Sequence, residues 1–416
     1  MTPQSPGAPA PGPETDVTDV TDGTDVIEFP LPPAGTMGPP EECAQLRESC
    51  PMARVRLPMD ATAWYTTRYE DVRALLADSR LIRPTINDWP PRPGQAADEG
   101  PRLVTIAELA GPRHAVLRRA LAQPFSSRAV RGHLPRIRRL AGQLLDTFEE
   151  GGSPGDLVAG FTDPFPLLVL CDVVGIPFED RDWFLPVLDA ALEGMVTAQE
   201  GRRVTDLLRT YVAELIDRKR SEPGDDVLTQ LVRDCDEGTL THGDVMAFVL
   251  SMLTVGFGIS SFFLADSLHT LLARPDQWAR LRENRDLLPG AVEEILRYMP
   301  VMNGTVLLLA TEDIETGGQT IRKGDAVIPV LASANRDGRV FTDAARLDLC
   351  RADNPHLSFG RGSHNCVGAH LARAELTVGL EALTDRFPRL RPADWQQPRW
   401  DDQSVTKSPL TLPVSW

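Results

Sequence analysis

The sequence predicts a mainly α-helical fold with a minor β region, built as a single large domain around a long central helix. Three observations lead there. Helical periodicity dominates from residue 68 to residue 300. After residue 300 the pattern changes to short strand-like runs divided by glycine turns, Gly317-Gly318 and Gly324. No linker-like composition separates the two parts, and 416 residues with 42% apolar content can bury a large core.

Residues 1–35 read as a disordered tail, and 36–416 as the folded domain. The tail holds Pro3, Pro6, Pro9, Pro11 and Pro13 and a Thr-Asp-Val repeat over 15–22, too little apolar surface to offset chain entropy. Structure begins near Cys43, with strands around Arg54–Leu57 and Ala63–Thr66. Helices are expected at 69–78, 112–122, 127–148, 163–174, 179–198, 202–220, 225–234, 242–274, 276–284 and 288–299. Thr305–Ala310, Ile314–Thr316 and Ala326–Val330 read as strands, a helix at 367–386 follows, and strand signals close the chain.

The 242–274 helix has a charge-free stretch from Val245 to Ala265, long enough to span a bilayer. It also carries Ser251, Thr254, Ser260 and Ser261 and runs on through Asp266 and His269. Thr241 with Asp244 makes a capping-box start, and Pro275 supplies the stop. A buried helix crossing the centre of the protein is the better reading.

Charge and cysteine usage narrow the function. A net charge of −16 disfavours nucleic acid or an anionic membrane as the main partner. The six cysteines, Cys43, Cys50, Cys171, Cys235, Cys350 and Cys366, include no Cys-x-x-Cys pair, which suits a reducing compartment better than a disulfide scaffold or zinc site. The N-terminus lacks the basic-then-apolar order of a signal peptide, so a cytoplasmic location is expected.

The strongest chemical signal is Phe359-Gly360-Arg361-Gly362-Ser363-His364-Asn365-Cys366-Val367-Gly368, leading into an amphipathic helix. Its glycines let backbone approach a flat ligand and turn without Cβ clashes. Cys366 sits at a helix entrance, where free N–H groups and the positive dipole end favour a thiolate. Six specified positions would coincide by chance on the order of once in 10⁸ windows.

This run resembles the haem-ligand signature of the cytochrome P450 family, Phe-Gly-x-Gly-x-His-x-Cys-x-Gly, at every specified position. The resemblance covers about residues 40–416. It implies haem b as cofactor with Cys366 as axial thiolate on iron, a ligand that favours O–O cleavage, and counts Phe359 among the cofactor-binding residues. Glu294 and Arg297, on one helix face, match the family's structural Glu-x-x-Arg pair, with Arg346 as the third member of that cluster. His114, Arg118 and His356 match positions that hold the haem propionates, which need cationic or hydrogen-bonding partners. Where the family usually has a further propionate arginine, this chain has Leu308.

The chain also departs from the family on the oxygen side. An acid followed by an alcohol usually stands in the central helix; here those positions are Gly258 and Ile259. Ser260 lies one residue on, rotated about 100° around the helix. Gly256 and Gly258 weaken the helix by about 1 kcal/mol each relative to alanine, which favours a kink over the haem. A sharper reading is a site whose protons come from substrate or ordered water.

The resulting expectation is a haem-thiolate monooxygenase that uses O2 and electrons from a ferredoxin and its reductase to oxidise a small, largely apolar secondary metabolite, as in antibiotic biosynthesis. An oxidase performing coupling, desaturation or rearrangement is the second reading, and a haem-less auxiliary protein the third. Pocket walls are expected from 81–108, 186–200, Thr254–Ile259 and Met302–Leu307, including Trp89, Met195 and Met302. Arg119, Arg361 and Arg373 are expected to form a basic docking patch.

Overall fold

A computed structural model of the chain describes residues 26–29, 38–57, 61–84, 104–192, 198–299, 306–393 and 408–416, with side chains left out of the description at 189–192, 198–201 and 257. Strand β1 (Ile27–Glu28) lies parallel to β2 (Met52–Arg56), with Ile27 opposite Val55. The expectation of a disordered tail over 1–35 is therefore corrected at these residues. The Phe29 N–H donates to the Arg56 carbonyl at 2.9 Å and its ring meets Tyr65 at 6.1 Å. Those partners, Arg56 and Tyr65, lie about thirty residues further along the chain, so local composition could not reveal them.

Helix α1 (Glu42–Ser49) was not expected; it buries only Cys43 and Leu46, too little to register as periodicity. Next come β3 (Thr62–Thr66), α2 (Tyr69–Ala77) and β4 (Leu81–Ile82). The helical part follows as α3 (Gly111–Ala122), α4 (Ser127–Glu150), β5 (Gly155–Asp156), α5 (Pro164–Val174), α6 (Arg181–Leu192), α7 (Ala198–Ser221) and α8 (Val227–Asp236). A π-helical turn at Val158–Thr162 leads into α5, and Gly175 at φ 91° ends it in the left-handed conformation.

The central helix is broken. It runs as α9 (His242–Ser251), a π-helical turn over Met252–Gly256, and α10 (Phe257–Leu272). The capping box forms, with Thr241 Oγ1 accepting from the Asp244 N–H at 3.2 Å and the Thr241 N–H donating to Asp244 Oδ2 at 2.9 Å. Ser251 and Thr254 hydroxyls donate back to the carbonyls of Ala247 and Leu250 at 2.6 and 2.7 Å. Such back-bonding beside Gly256 and Gly258 loosens the helical ladder where the turn widens. By length and composition this helix could cross a membrane. Its Val245, Phe248, Leu268 and Leu271 are instead fully buried in the largest core.

The remaining elements are α11 (Pro275–Glu283), α12 (Leu288–Tyr298), β6 (Leu308–Ala310), β7 (Ile314–Thr316), β8 (Gln319–Ile321), β9 (Ala326–Pro329), α13 (Leu331–Ala334), α14 (Ala369–Arg386), β10 (Arg391–Pro392) and β11 (Pro413–Ser415). One sheet has the order β1-β2-β3-β9-β6-β4, a second β10-β11-β5, and β7-β8 is a hairpin. Gly317 and Gly318, both at positive φ, close that hairpin in two residues, as its twist requires. α14 packs along α4, α12 and α10 and carries the cysteine loop at its front end.

Candidate active site

The cysteine loop leads from Leu357 to α14. Its shape is set by backbone bonds: Gly360 N–H to Leu357 carbonyl at 2.8 Å, and Cys366 N–H to Phe359 carbonyl at 2.9 Å. Gly360 and Gly362 have φ of 70° and 76°. A Cβ at Gly362 would lie 2.6 Å from the Leu76 carbonyl oxygen of α2, so both conformation and space demand glycine there. Cys366 is solvent-accessible at the side chain while protein surrounds most of it. Burial pushes its thiol pKa up; the Gly368 N–H and the charges of Arg118 and Arg373 pull weakly the other way. Helix-entrance amides alone therefore do not make the thiolate that the sequence suggests. A metal cation bound to the sulfur would supply what they lack.

Facing this loop is a pocket of one charge sign. Pro112 starts α3, which buries His114 and half-buries Arg118 on one face. The His114 and His364 rings stack with centroids 4.2 Å apart. Burial lowers the pKa of His114, and Arg118 and Arg83 lower it further. Burial, together with His114, Arg83 and Arg118, holds His364 down at about 4. Arg83 and Arg118 are themselves depressed by burial, and Arg83 Nε is buried without a hydrogen-bond partner. No carboxylate acts on any of these four groups among the described residues. Two arginines and two histidines with an orphaned donor fit a ligand carrying carboxylates, as haem does in its propionates.

Two of the four were missed from sequence. Extending the β4–β6 register, Leu81 to Ala310 and Ile82 to Leu309, puts Arg83 opposite Leu308. A guanidinium thus stands on the neighbouring strand from the position where the family's arginine is absent. His364 was visible within the motif but was not given this role. His356, expected to have it, is engaged elsewhere in the structure. Its Nε2 bonds Glu293 Oε2 at 3.0 Å and its Nδ1 accepts from the Ser358 N–H at 3.2 Å, so both ring nitrogens are engaged away from the cationic pocket.

Adjacent glutamates on α12 anchor the loop. Arg373 grips Glu293 at 2.6 and 2.8 Å and lies over the Phe359 ring at 4.5 Å. Burial opposes ionisation of Glu293, but Arg373 and His356 outweigh it and hold the carboxyl at about 2. Glu294 is fully buried and paired with Arg297 at 2.8 Å. Arg297 also donates to the carbonyls of Asn335, Ala344 and Arg346. The third charged member of this cluster is not the arginine expected from sequence. Arg346 is exposed and contributes its backbone carbonyl, while Arg351 supplies the third charge, 2.9 Å from Glu294.

On the central helix, Gly258, Ile259 and Ser260 are half-buried, and Val255 just before them is exposed. A Cβ at Gly258 would meet nothing within 4 Å, whereas one at Gly256 would touch Leu170 at 3.3 Å. Open space therefore adjoins the helix where the family's acid would stand. Ser260 is near enough to α14 to lower the pKa of the Glu375 carboxyl, which burial raises. Of the expected pocket walls, 85–103, 193–197 and 300–305 lie outside the described residues, and with them Trp89, Met195 and Met302. Arg373, engaged with Glu293, is not available to a docking patch; Arg119 and Arg361 are exposed.

A cysteine loop facing a cationic pocket, beneath a broken central helix in a mainly helical fold, defines the haem-thiolate class of protein. Comparisons agree. The sequence model described as Cytochrome P450 matches residues 182–413. Nocardicin C N-oxygenase of Nocardia uniformis subsp. tsuyamanensis is 42% identical over 90% of this chain and 94% of its own length. Mycinamicin IV hydroxylase/epoxidase of Micromonospora griseorubida is 38% identical over 89% of this chain and 94% of its own. Among solved structures, the LnmA cytochrome P450 hydroxylase from the leinamycin biosynthetic pathway of Streptomyces atroolivaceus S-140 superposes with a TM-score of 0.83 at 37% identity, over 94% of this chain and 100% of that one. The chain belongs to the cytochrome P450 family. It is an oxidoreductase of the monooxygenase type whose cofactor is haem with a cysteine axial ligand; such enzymes use O2 and redox partner proteins and act on small substrates.

Proposed function

We propose that this enzyme hydroxylates or otherwise oxygenates a small, largely apolar secondary metabolite in the cytoplasm, with electrons from a ferredoxin. Residues 36–416 form its haem-thiolate domain. Cys366 ligates iron, Arg83, His114, Arg118 and His364 hold the propionates, and Glu294, Arg297 and Arg351 brace the loop. Bound haem supplies the oxygen-activating chemistry; the chain binds it, orients it and manages protons. The carrying observation is the complete cysteine signature opposite a buried cationic pocket with no carboxylate of its own among the described residues. A haem-less auxiliary role leaves that pocket without a purpose, since unpaired buried cations are costly.

The reduced protein with carbon monoxide should show the red-shifted Soret band of thiolate ligation, and Cys366→Ala should abolish it. An unchanged band in that variant overturns the ligand assignment. Oxidation without oxygen insertion is a second reading, favoured by Gly258 and Ile259 in place of the acid–alcohol pair. Product mass after turnover under ¹⁸O2 separates the two: incorporated label supports oxygenation, and its absence supports coupling or desaturation.

A further inference from the structure

Arg47 on α1, Arg274 between α10 and α11, and Arg336 just after α13 are distant in sequence and line one cavity of about 480 Å³. The site described above uses none of them. That volume suits a small molecule. The Tyr298 ring, Pro39 and Pro40 give the cavity apolar walls. Glu41, exposed at its edge, is the one carboxylate lining it among the described residues.

All three arginines are half-buried and held by neutral acceptors. Arg47 Nη1 donates to Ser333 Oγ at 2.8 Å. Arg274 Nη1 donates to the Thr270 carbonyl at 2.9 Å, and Arg336 donates to the carbonyls of Tyr298 and Ala345 at 2.7 and 3.1 Å. Arg336 and Arg274 also share the Tyr298 ring, 3.7 and 5.7 Å from its centroid. None of the three forms an ion pair among the described residues. Thr270 and Tyr298 belong to the last turns of α10 and α12, whose carbonyl ends carry about half a negative charge each. Two such ends do not neutralise three cations. Burial accordingly holds Arg336 down at about 10 and lowers Arg47, and the more remote Glu294, Asp337 and Glu48 do not reverse this. Arg336 Nε is buried with no acceptor. Uncompensated cations are costly inside a protein, so the cavity suits a guest that brings the missing negative charge.

We propose that this cavity binds a phosphate dianion, free or as the monoester of a small molecule, through the guanidiniums of Arg47, Arg274 and Arg336. Three forked donors from three elements match the oxygens of a tetrahedral phosphate better than the two of a planar carboxylate. Tyr298, Pro39 and Pro40 would carry the apolar body of an ester. The anion completes the neutralisation that the two helix ends begin, and ties α1 to the ends of α10 and α12. The cavity shares no residue with the cysteine loop or the cationic pocket facing it, so the proposal stands whatever the enzyme oxidises.

The test uses the haem-loaded full-length chain, so that the propionates fill the other cationic pocket. Calorimetric titration with inorganic phosphate, at an ionic strength held constant with sodium chloride, should show one saturable site. Arg274→Gln and Arg47→Gln should each weaken it about ten-fold or more, the loss of one charge-assisted hydrogen bond. Arg274→Lys should restore part of the affinity, and Arg131→Gln, on the exposed face of α4, should leave it unchanged. An intact thiolate carbon monoxide band in each variant shows that the fold is kept. A second measurement needs no variant: phosphate at ten times its dissociation constant should slow phenylglyoxal labelling of Arg274 about ten-fold, located by peptide mass, and leave Arg131 unprotected. Phenyl phosphate decides the source, tighter binding than inorganic phosphate indicating a monoester and equal or weaker binding the free anion. Loss of the carbon monoxide band in the unaltered enzyme would count against the P450 reading and not against this cavity. No saturable phosphate site, an affinity unchanged in both glutamine variants, or Arg274 labelling unaffected by phosphate overturns the proposal.

Discussion

Asp266 on α10 shows how a single buried residue sets pH behaviour. Its Oδ1 has no hydrogen-bond partner, and burial raises its pKa to about 8. The folded chain therefore keeps this proton where the unfolded chain, with an ordinary carboxyl near 3.8, has lost it. Stability from this group is complete below the unfolded value and is lost as pH rises toward 8, by at most about 1.4 kcal/mol per pH unit. Asp266→Asn should gain stability over the unaltered protein across that window and match it near pH 4; urea midpoints at several pH values would show this, and a pH-independent difference would refute it. Arg83 makes a residue-scale prediction of a different kind. A charge-assisted hydrogen bond contributes about 1.5–3 kcal/mol, so Arg83→Gln should speed haem loss about ten- to a hundred-fold, read by transfer to a haem-scavenging apoprotein. His356→Gln should leave that rate near the unaltered value, because His356 is bound to Glu293. Comparable losses from both would return His356 to the cofactor site.

At the scale of elements, α12 is the brace between the cysteine loop and the rest of the fold. Glu294 accepts from Arg297, Arg351 and Asn354 and from the backbone N–H of Asp348. A buried carboxylate stripped of one cationic partner costs about 3–5 kcal/mol. Arg351→Ala should therefore lower the unfolding free energy by several kcal/mol, while Arg346→Ala, losing an exposed side chain, should stay within about 0.5 kcal/mol. Chemical denaturation of both variants checks the order, and a larger cost at Arg346 would reverse the assignment. The Glu-x-x-Arg pair was legible because both residues lie on one helix face. Its third partner was not, since Arg351 lies 57 residues from Glu294 along the chain and only the fold brings them together.

For the whole molecule, charge distribution matters more than net charge. The chain carries −16 overall, yet Arg119 and Arg361 lie exposed beside the elements that hold the cysteine loop. Rim charges act on encounter rate and are screened by salt. Reversing both to glutamate should slow reduction by ferredoxin about ten-fold at low salt, with the difference shrinking at high salt and the substrate-induced spectral shift intact. Stopped-flow reduction decides it; unchanged rates move the docking face elsewhere. Arg373→Glu is a poor probe of docking, because it would break the Glu293 pair that ties α14 to α12.

The sequence by itself determined what depends on neighbours along the chain. The ten-residue cysteine signature, the capping box at Thr241, the helix faces bearing His114 with Arg118 and Glu294 with Arg297, and the gap at Gly258 and Ile259 are all local. Helical periods and turn glycines then defined most elements to within a few residues. Tertiary structure alone decided what depends on residues brought together from afar. Strand register set Arg83 against Leu308, and the loop path stacked His364 on His114, tied His356 to Glu293 and brought Arg351 rather than Arg346 to Glu294. In each case chemically equivalent residues compete at similar spacings. What separates them is burial and the identity of the opposing surface, neither of which a linear pattern contains.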